Sequence, residues 1–252
     1  MIENETIRHQ LNHKTIRKFK DQTLSKEQLT TLYEVARQTS TSMFTQQFSI
    51  LHITDDQKKK ALREISGQPY IGDKGDLFIF LADLYRNVQI RRQQGLDDGR
   101  LHTADLYFQA TQDAILAMQN MINAAESMSL GVVILGSLND DPKRYLEVLD
   151  LPEMTYPVLA LQVGVPDQEP QLKPRLPLEF TTFENEYPRN FKVEALKDYD
   201  AKVETYYDLR DTNRRIDSFT KQISGPKLEN KHLKRDDIIE ALHQQGLALD
   251  LN

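Results

Sequence analysis

The chain has 252 residues, of which 28% are charged and 39% hydrophobic, so it is long and apolar enough for a large core and is not collagen-like, linker-like or wholly disordered. The formal net charge of −6 gives no overall positive field that favours nucleic acid. The sequence contains no cysteine, which excludes disulfides, thiolate metal sites and cysteine nucleophiles.

The apolar runs and the first residues bear on localisation. The longest runs, Leu77–Ala82 and Leu130–Leu135, are far shorter than the roughly 20 residues that a membrane-spanning helix needs. The start, Met-Ile-Glu-Asn-Glu, lacks the basic and apolar regions of a secretory signal. We therefore expect a cytoplasmic protein without a membrane partner.

The first half of the chain predicts helices alternating with strands. Ser25 and Gln28 form the pattern of a capping box at the start of a helix. A continuous apolar run over residues 77–82 is typical of a buried strand. The elements predicted here are a helix over Glu3–Leu11, a helix after Ser25, a strand over Phe48–Thr54, a lysine-rich helix over about Asp56–Ile65 and a strand over Leu77–Ala82.

The second half continues this alternation and ends in helices. Residues Thr103–Leu130 are rich in Ala and Met over a wide arc, which predicts a central helix. Further predictions are strands over Gly131–Gly136 and Pro157–Gly164, a helix starting at Asp141-Pro142, an irregular stretch over Val165–Pro177 and helices over Val193–Leu209 and Asp236–Gln245. Four strands interleaved with helices indicate an α+β or α/β domain.

Several catalytic motifs are absent from the sequence. It has no glycine-rich dinucleotide or P-loop motif, no HExxH and no Gly-x-Ser-x-Gly elbow. Without cysteine a structural zinc site is not expected, and we predict no metal site. The remaining candidates for a functional site are basic residues next to residues that carry a hydroxyl group.

Two basic segments are candidates for binding phosphate. His13, Thr15 and Arg17 alternate in an extended stretch, which puts the three side chains on one side. In the second segment Pro174 stiffens the spacing between Lys173 and Arg175. Taken alone, both segments are explained more simply as solvated loops.

Two weaker signals lie in turns. Ser40-Thr41-Ser42 is a hydroxyl cluster after a helix, and Gly136-Ser137 follows a predicted strand, where exposed backbone amides can meet a ligand. Taken alone, each is more simply an ordinary turn.

Together these pieces resemble the oxygen-insensitive NADPH nitroreductase and NADPH–flavin oxidoreductase subfamily of the nitroreductase superfamily. No single piece is specific, but their order and spacing are. The resembling segments are His13–Phe19, Ala36–Phe44, Gly67-Gln68, Ala124–Ser127, Ile134–Leu138, Leu172–Pro177, Tyr206-Tyr207 and Asn213–Arg215.

The resemblance implies a fold and an assembly. The fold is α+β, with a mixed central sheet flanked by helices and a C-terminal helical arm. Residues 1–184 would form the FMN-binding core and residues 185–252 a helical extension that packs on the core and on the partner subunit. The assembly would be an entwined homodimer with one non-covalent FMN per site, built at the dimer interface.

The resemblance also assigns roles to individual residues. His13, Thr15 and Arg17, joined by Lys173 and Arg175, would hold the phosphate and ribityl region of FMN. Thr41 would help to enclose the flavin, and Gln68 would hydrogen-bond the isoalloxazine ring. The turn formed by Ile134, Leu135, Gly136 and Ser137 would offer backbone N–H groups near the reactive flavin nitrogen. Arg210 and Arg214, with Arg215 as a substitute for Arg214, would meet the 2′-phosphate of NADPH.

Three residues depart from the subfamily pattern. Lys14 stands where arginine is common, Ser137 where a second glycine is common, and Ile134 where an aromatic residue can occur. These differences concern the shape of the pocket over the flavin.

The expected function is an NADPH oxidoreductase in which FMN carries the chemistry and no side chain is itself catalytic. NADPH would pass a hydride to the flavin and leave before an acceptor takes the same place. The acceptors would be nitroaromatics, quinones or free flavin. One alternative is a flavin-binding protein that stores FMN without turnover, and another is a nucleic-acid-binding protein, against which the net charge argues.

Overall fold

The computed structural model describes residues 1–210 and 217–249, and its chain divides into two compact units. The first unit comprises Met1–Glu169 and the chain from Leu233 onward, whereas the second comprises Pro170–His232. The division predicted from the sequence, at residue 184, stays a prediction. Within the described residues no helix is long and apolar enough to cross a membrane.

Helices and strands alternate through the first unit, largely as the sequence predicts. The helices of the described chain are α1 (Glu5–Leu11), α2 (Lys26–Arg37), α3 (Asp56–Ser66), α4 (Tyr85–Gln93), α5 (Ala104–Ser127), α6 (Pro142–Leu149), α7 (Lys197–Arg210), α8 (Phe219–Ile223) and α9 (Ile238–Gln244). The strands are β1 (Phe48–Ile53), β2 (Asp76–Asp83), β3 (Gly131–Leu135) and β4 (Thr155–Gly164). The predicted capping box is confirmed, because the Gln28 N–H donates to Ser25 Oγ at 3.1 Å and the Ser25 N–H to Gln28 Oε1 at 2.9 Å. Helix α4 was not predicted.

The four strands form one sheet in the order β1-β2-β4-β3, and each neighbouring pair is antiparallel. β3 and β1 are therefore its edge strands. Thr15, which precedes α2, makes an isolated parallel bridge to Val132 of β3. The α+β class is thus confirmed.

Helices cover both faces of this sheet. Leu77 and Ile79 of β2 pack with α3 and α6 in one cluster, which we call the α3–α6 core. Phe78 and Phe80 point to the other face and pack with α2 and α5, in the α2–α5 core. All of β2 is buried, which explains its continuous apolar run.

The chain after Leu233 returns to the first unit. Ala241 and Leu242 of α9 and the following Leu247 are buried in a third cluster, with Leu106 of α5 and Tyr156 of β4. The backbone N–H of Met154 donates to the carbonyl of Gln245 at 2.7 Å. The predicted last helix is thus confirmed, and it belongs to the core of the first unit.

The second unit is built around α7 and α8. Leu196, just before α7, and Val203, within α7, are buried, with exposures of 4% and 5%. The rings of Tyr199 and Phe219 meet edge to face, 5.5 Å apart. A cavity of about 420 Å³ in this unit has aromatic walls that include Phe180 and Phe191.

Candidate functional site

The segment from His13 to Phe19 runs across the end of the sheet. The Ile16 N–H donates to the carbonyl of Val132 at 2.8 Å, beside the Thr15 bridge. Ile16 and Phe19 are buried in the α3–α6 core, whereas Arg17 between them is exposed. Apolar anchors therefore fix this segment and direct a cation to the surface.

Two strand glycines let this segment approach the sheet closely. A Cβ atom on Gly131 would lie 2.8 Å from three side-chain atoms of Ile16. One on Gly164 would lie 2.9 Å from the Phe19 ring. Real Cβ contacts are not this short, so the path of the segment depends on both glycines.

The chain that follows β4 holds the same segment from its other side. The Lys20 N–H donates to Val165 O, and the Asp167 N–H donates to Lys18 O, both at 2.9 Å. Lys14 forms an ion pair with Glu169. The positive charge of Lys14 is thus paired within the protein.

His13 is attached to α5. Its Nδ1 lies 2.6 Å from Oε1 of Glu126, whose side chain is only 14% exposed. The segment therefore joins both faces of the sheet, because Glu126 lies on α5 whereas Ile16 packs with α3 and α6.

The loop that carries Gln68 is held by a buried residue of β4. The Gln162 side chain donates to the carbonyls of Tyr70 and Lys74 at 3.0 and 2.7 Å and accepts from the Gly72 N–H at 3.0 Å. Gln68 itself is exposed.

The predicted flavin turn follows β3. Ile134 is 41% exposed in an otherwise buried strand, whereas the adjacent Leu135 is 2% exposed. The Arg235 guanidinium, from the returning chain, donates to the carbonyl of Gly136. Arg235 was not predicted from the sequence, because it stands among other charged residues and has no distinguishing pattern.

Three of the predicted site segments share one core. Ile16, Ile71 and Leu135 all belong to the α3–α6 core, and they lie within or next to the segments of Arg17, Gln68 and Gly136. The structure therefore anchors these segments on the same face of the sheet.

Thr41 is anchored elsewhere. The next residue, Ser42, donates its N–H to Asp113 Oδ1 at 2.8 Å and its hydroxyl to Gln109 Oε1 at 2.9 Å, both on α5. Burial raises the pKa of Asp113, and the N–H donors of Ser42 and Gln47 oppose that rise. The 13 residues from Asp113 to Glu126 correspond to about 20 Å of helix. The Thr41 and His13 segments are thus attached to distant parts of α5.

The remaining predicted residues lie in the second unit or outside the described residues. Lys173 and Arg175 are exposed in an irregular stretch of the second unit. Arg210 is the last residue of α7. Arg214 and its substitute Arg215 lie outside the described residues, so their predicted role stays a prediction.

The fold is of the α+β class, and sequence profiles name its family. The profile described as "Nitroreductase family" matches residues 11–165, which is more than half of the chain. The profile described as "Nitroreductase family, C-terminal domain" matches residues 173–250. The chain belongs to the nitroreductase family, as the resemblance predicts.

Individual relatives agree with this assignment over nearly the full chain. An NADPH-dependent oxidoreductase of Staphylococcus haemolyticus is 38% identical, with 93% of this chain and 94% of the relative covered. The NfrA1 nitroreductase of B. subtilis has a TM-score of 0.89 and 34% identity, over 97% of this chain and 99% of that chain. The NADPH:FMN oxidoreductase of Vibrio harveyi, complexed with NAD+, has a TM-score of 0.87 and 30% identity, over 97% of this chain and 99% of that chain.

The polar groups of the first unit fit the cofactor that the resemblance implies. FMN offers phosphate oxygens, ribityl hydroxyls and a ring edge with donors and acceptors. Among the described residues, no hydrogen bond or ion pair engages the side chains of Thr15, Arg17 or Gln68. Their hydroxyl, guanidinium and amide groups match those three parts of FMN in chemistry.

Proposed function

We propose that the protein is an FMN-dependent NADPH oxidoreductase. When bound, FMN supplies the centre that takes a hydride from NADPH and passes two electrons to an acceptor. The donor and the acceptor use the same place in turn, in a ping-pong sequence. The acceptors are flat, electron-poor rings, namely nitroaromatics, quinones or free flavin.

One observation carries this proposal. The uncommitted polar side chains of Thr15, Arg17 and Gln68 belong to segments whose apolar neighbours are anchored on one face of the sheet. Groups held by a packed core are pre-organised for a ligand and lose little freedom when it binds. The names of the Staphylococcus haemolyticus and Vibrio harveyi relatives support NADPH as donor and FMN as the flavin.

The protein's own residues have distinct tasks in this proposal. Arg17 neutralises the phosphate, and Lys173 and Arg175 are proposed for the same task on the resemblance alone. Thr15 hydrogen-bonds near the phosphate and ribityl chain, and Gln68 bonds the ring. The Ile134–Ser137 turn supplies backbone N–H groups near the reactive nitrogen, and Arg210 with Arg214 binds the NADPH phosphate.

We further propose that the working form is a homodimer in which Thr41 serves the partner's site. The anchors of the Thr41 and His13 segments are about 20 Å apart along α5, more than one flavin ring spans. A second copy can bring its Thr41 segment to a site that a single chain leaves open.

The test separates an enzyme from a protein that only stores flavin. Purified protein is expected to be yellow, to contain one FMN per chain, and to oxidise NADPH steadily when a quinone or nitroaromatic is added. FMN-loaded protein without turnover would favour storage. Protein that neither retains nor rebinds FMN would contradict the proposal.

A further inference from the structure

Glu126 is a largely buried carboxylate that has no role in the proposed function. It lies in the last turn of α5, and its Oε1 is 2.6 Å from Nδ1 of His13. An ionised carboxylate can only accept a hydrogen bond. The hydrogen of this contact therefore resides on Nδ1.

This contact uses one of the two ring nitrogens of His13. No hydrogen bond to another described residue reaches Nε2, and the His13 side chain is 29% exposed. The side chains of Thr15 and Arg17 likewise make no hydrogen bond or ion pair to another described residue. The structure thus fixes the ring of His13 from one side and leaves its other nitrogen for a ligand.

The negative charge of Glu126 is unexpected next to a segment that is proposed to bind phosphate. A carboxylate near a phosphate-binding segment repels the phosphate and lowers its affinity unless the carboxylate acts through another group. His13 is the group that Glu126 contacts. A ring held by an acceptor on one nitrogen presents the other nitrogen in a single orientation, as in carboxylate–histidine pairs at metal sites.

We propose that Glu126 is a positioning residue for the FMN site, which fixes the hydrogen of His13 on Nδ1 and reserves Nε2 for the phosphate–ribityl part of the cofactor. This inference rests on the proposed function and names one interaction within it. Without Glu126 the ring would sample both orientations and both hydrogen positions, so only a fraction of the protein would be ready to bind.

The first measurement is the FMN affinity of the full-length apo-protein, followed by quenching of flavin fluorescence. Glu126→Leu removes the acceptor and keeps a side chain of similar size, and we expect the Kd for FMN to rise about tenfold, as for the loss of a hydrogen bond to a charged group. His13→Ala should cost a similar factor, and the double variant no more than His13→Ala alone. Glu5→Gln, which removes an exposed carboxylate that pairs with His9 on α1, should leave the Kd unchanged.

The direction of the change in Kd distinguishes a positioning role of Glu126 from simple charge repulsion of the phosphate. If Glu126 only repelled the phosphate, Glu126→Leu would bind FMN more tightly. Tighter or unchanged binding, or costs that add in the double variant, would overturn the proposal. Riboflavin, which lacks the phosphate, identifies the group that Nε2 binds. An effect on FMN alone assigns the phosphate, to which Nε2 must also donate a hydrogen. An equal effect on both flavins assigns the ribityl chain.

The second measurement locates the hydrogen directly in the wild-type protein. Long-range ¹H–¹⁵N NMR spectra of the histidine rings in the wild-type protein should show a hydrogen on Nδ1 of His13, with the signal assigned by its loss in His13→Ala. A ring that carries its hydrogen on Nε2 alone would refute the proposal. Failure of the wild-type protein to bind FMN would instead refute the proposed function and would leave the NMR result intact.

Discussion

Neighbouring cations of the His13–Lys20 segment differ in what they contact. Lys14 pairs with Glu169, whereas the guanidinium of Arg17 has no partner among the residues that the structure describes. A paired charge contributes little to binding a further anion, because its field is already offset. Arg17, unlike Lys14, is therefore available to a phosphate.

Removing a phosphate-binding cation should weaken FMN selectively. In Arg17→Ala and in Lys173→Ala we expect the Kd for FMN to rise about 10–100-fold, because each loses a charge-assisted contact worth roughly 1.5–3 kcal/mol. Riboflavin should bind as in the wild-type protein. Titration of the apo-proteins checks both, with Lys18→Ala as the matched control and circular dichroism to verify folding. Unchanged FMN affinity in both variants would disprove the phosphate assignment.

The sequence shows residue types at the site but not their partners. The alternation of His13, Thr15 and Arg17 could be read from the sequence, and so could the departure at Lys14. The ion pair of Lys14 with Glu169 could not, because it joins residues 155 positions apart. The turn after Thr41 also could not be predicted. Met43 and Phe44 have left-handed backbone angles, with φ of 49° and 58°, although neither residue is a glycine.

At the scale of elements, His102 connects the loop after α4 to the turn that follows α9. Its Nδ1 lies 2.6 Å from the carbonyl of Gly246, and its Nε2 lies 3.0 Å from Asp98 Oδ2. Hydrogen bonds from Arg92 and His102 lower the pKa of Asp98 to about 2.

This pair should make stability depend on pH in the acid range. The folded pKa of Asp98 lies below its usual 3.8, so the carboxylate stabilises the fold above pH 3.8 and loses this effect as the pH falls toward about 2. Asp98→Asn should lower the free energy of unfolding by about 1–2 kcal/mol at pH 7, allowing for solvent screening. The difference from the wild-type protein should decrease as the pH falls and be small near pH 2. Denaturant titrations at both pH values measure this.

The neighbouring Asp97→Asn is the control. Its carboxylate is 89% exposed and pairs with Arg91, so the pH dependence of its effect should be weaker. A cost for Asp98→Asn that is the same at pH 7 and pH 2 would show that the effect is not electrostatic.

The close approach of Ile16 to β3 gives a steric prediction. Gly131→Ala should lower the free energy of unfolding by about 1–3 kcal/mol, because the new methyl overlaps the branched side chain of Ile16. Gly136→Ala is the control for stability: its Cβ would meet its nearest atoms at 3.8 Å, an ordinary contact. Urea denaturation of the two apo-proteins measures both values. Equal stability of the two variants would contradict the described path of the segment.

Elements were predictable where burial leaves a pattern in the sequence. The central helix α5 shows helical periodicity and the strand β2 a continuous apolar run, and both elements are confirmed. Helix α4 was missed because Val88 is its buried residue and arginines and glutamines surround it. The last helix could be predicted, but not that Ala241 and Leu242 complete the core of the first unit, because periodicity does not identify the partner of an apolar face.

At the scale of the whole molecule, the proposed sharing of sites between subunits has a complementation test. Arg17→Ala and Thr41→Glu should each weaken FMN binding at least about tenfold in homodimers. In an isolated heterodimer of the two variants, one site would carry both changes and the other none. Half of the sites should therefore bind FMN with wild-type affinity, as measured by titration of heterodimers purified through two tags.

A site built within one chain gives the opposite result. Each site of the heterodimer would then carry one change, and none would reach wild-type affinity. A monomeric wild-type protein that retains FMN would also contradict the shared site.

The most direct test of the account is an anaerobic titration of the FMN-loaded protein with NADPH, followed by absorbance near 450 nm. We expect one equivalent of NADPH per bound FMN to bleach the flavin, and a quinone or nitroaromatic added afterwards to restore the colour in the absence of NADPH. This result would separate the two halves of the ping-pong sequence. Flavin that stays oxidised in the presence of excess NADPH, or that is bleached but not restored by any acceptor, would contradict the central claim.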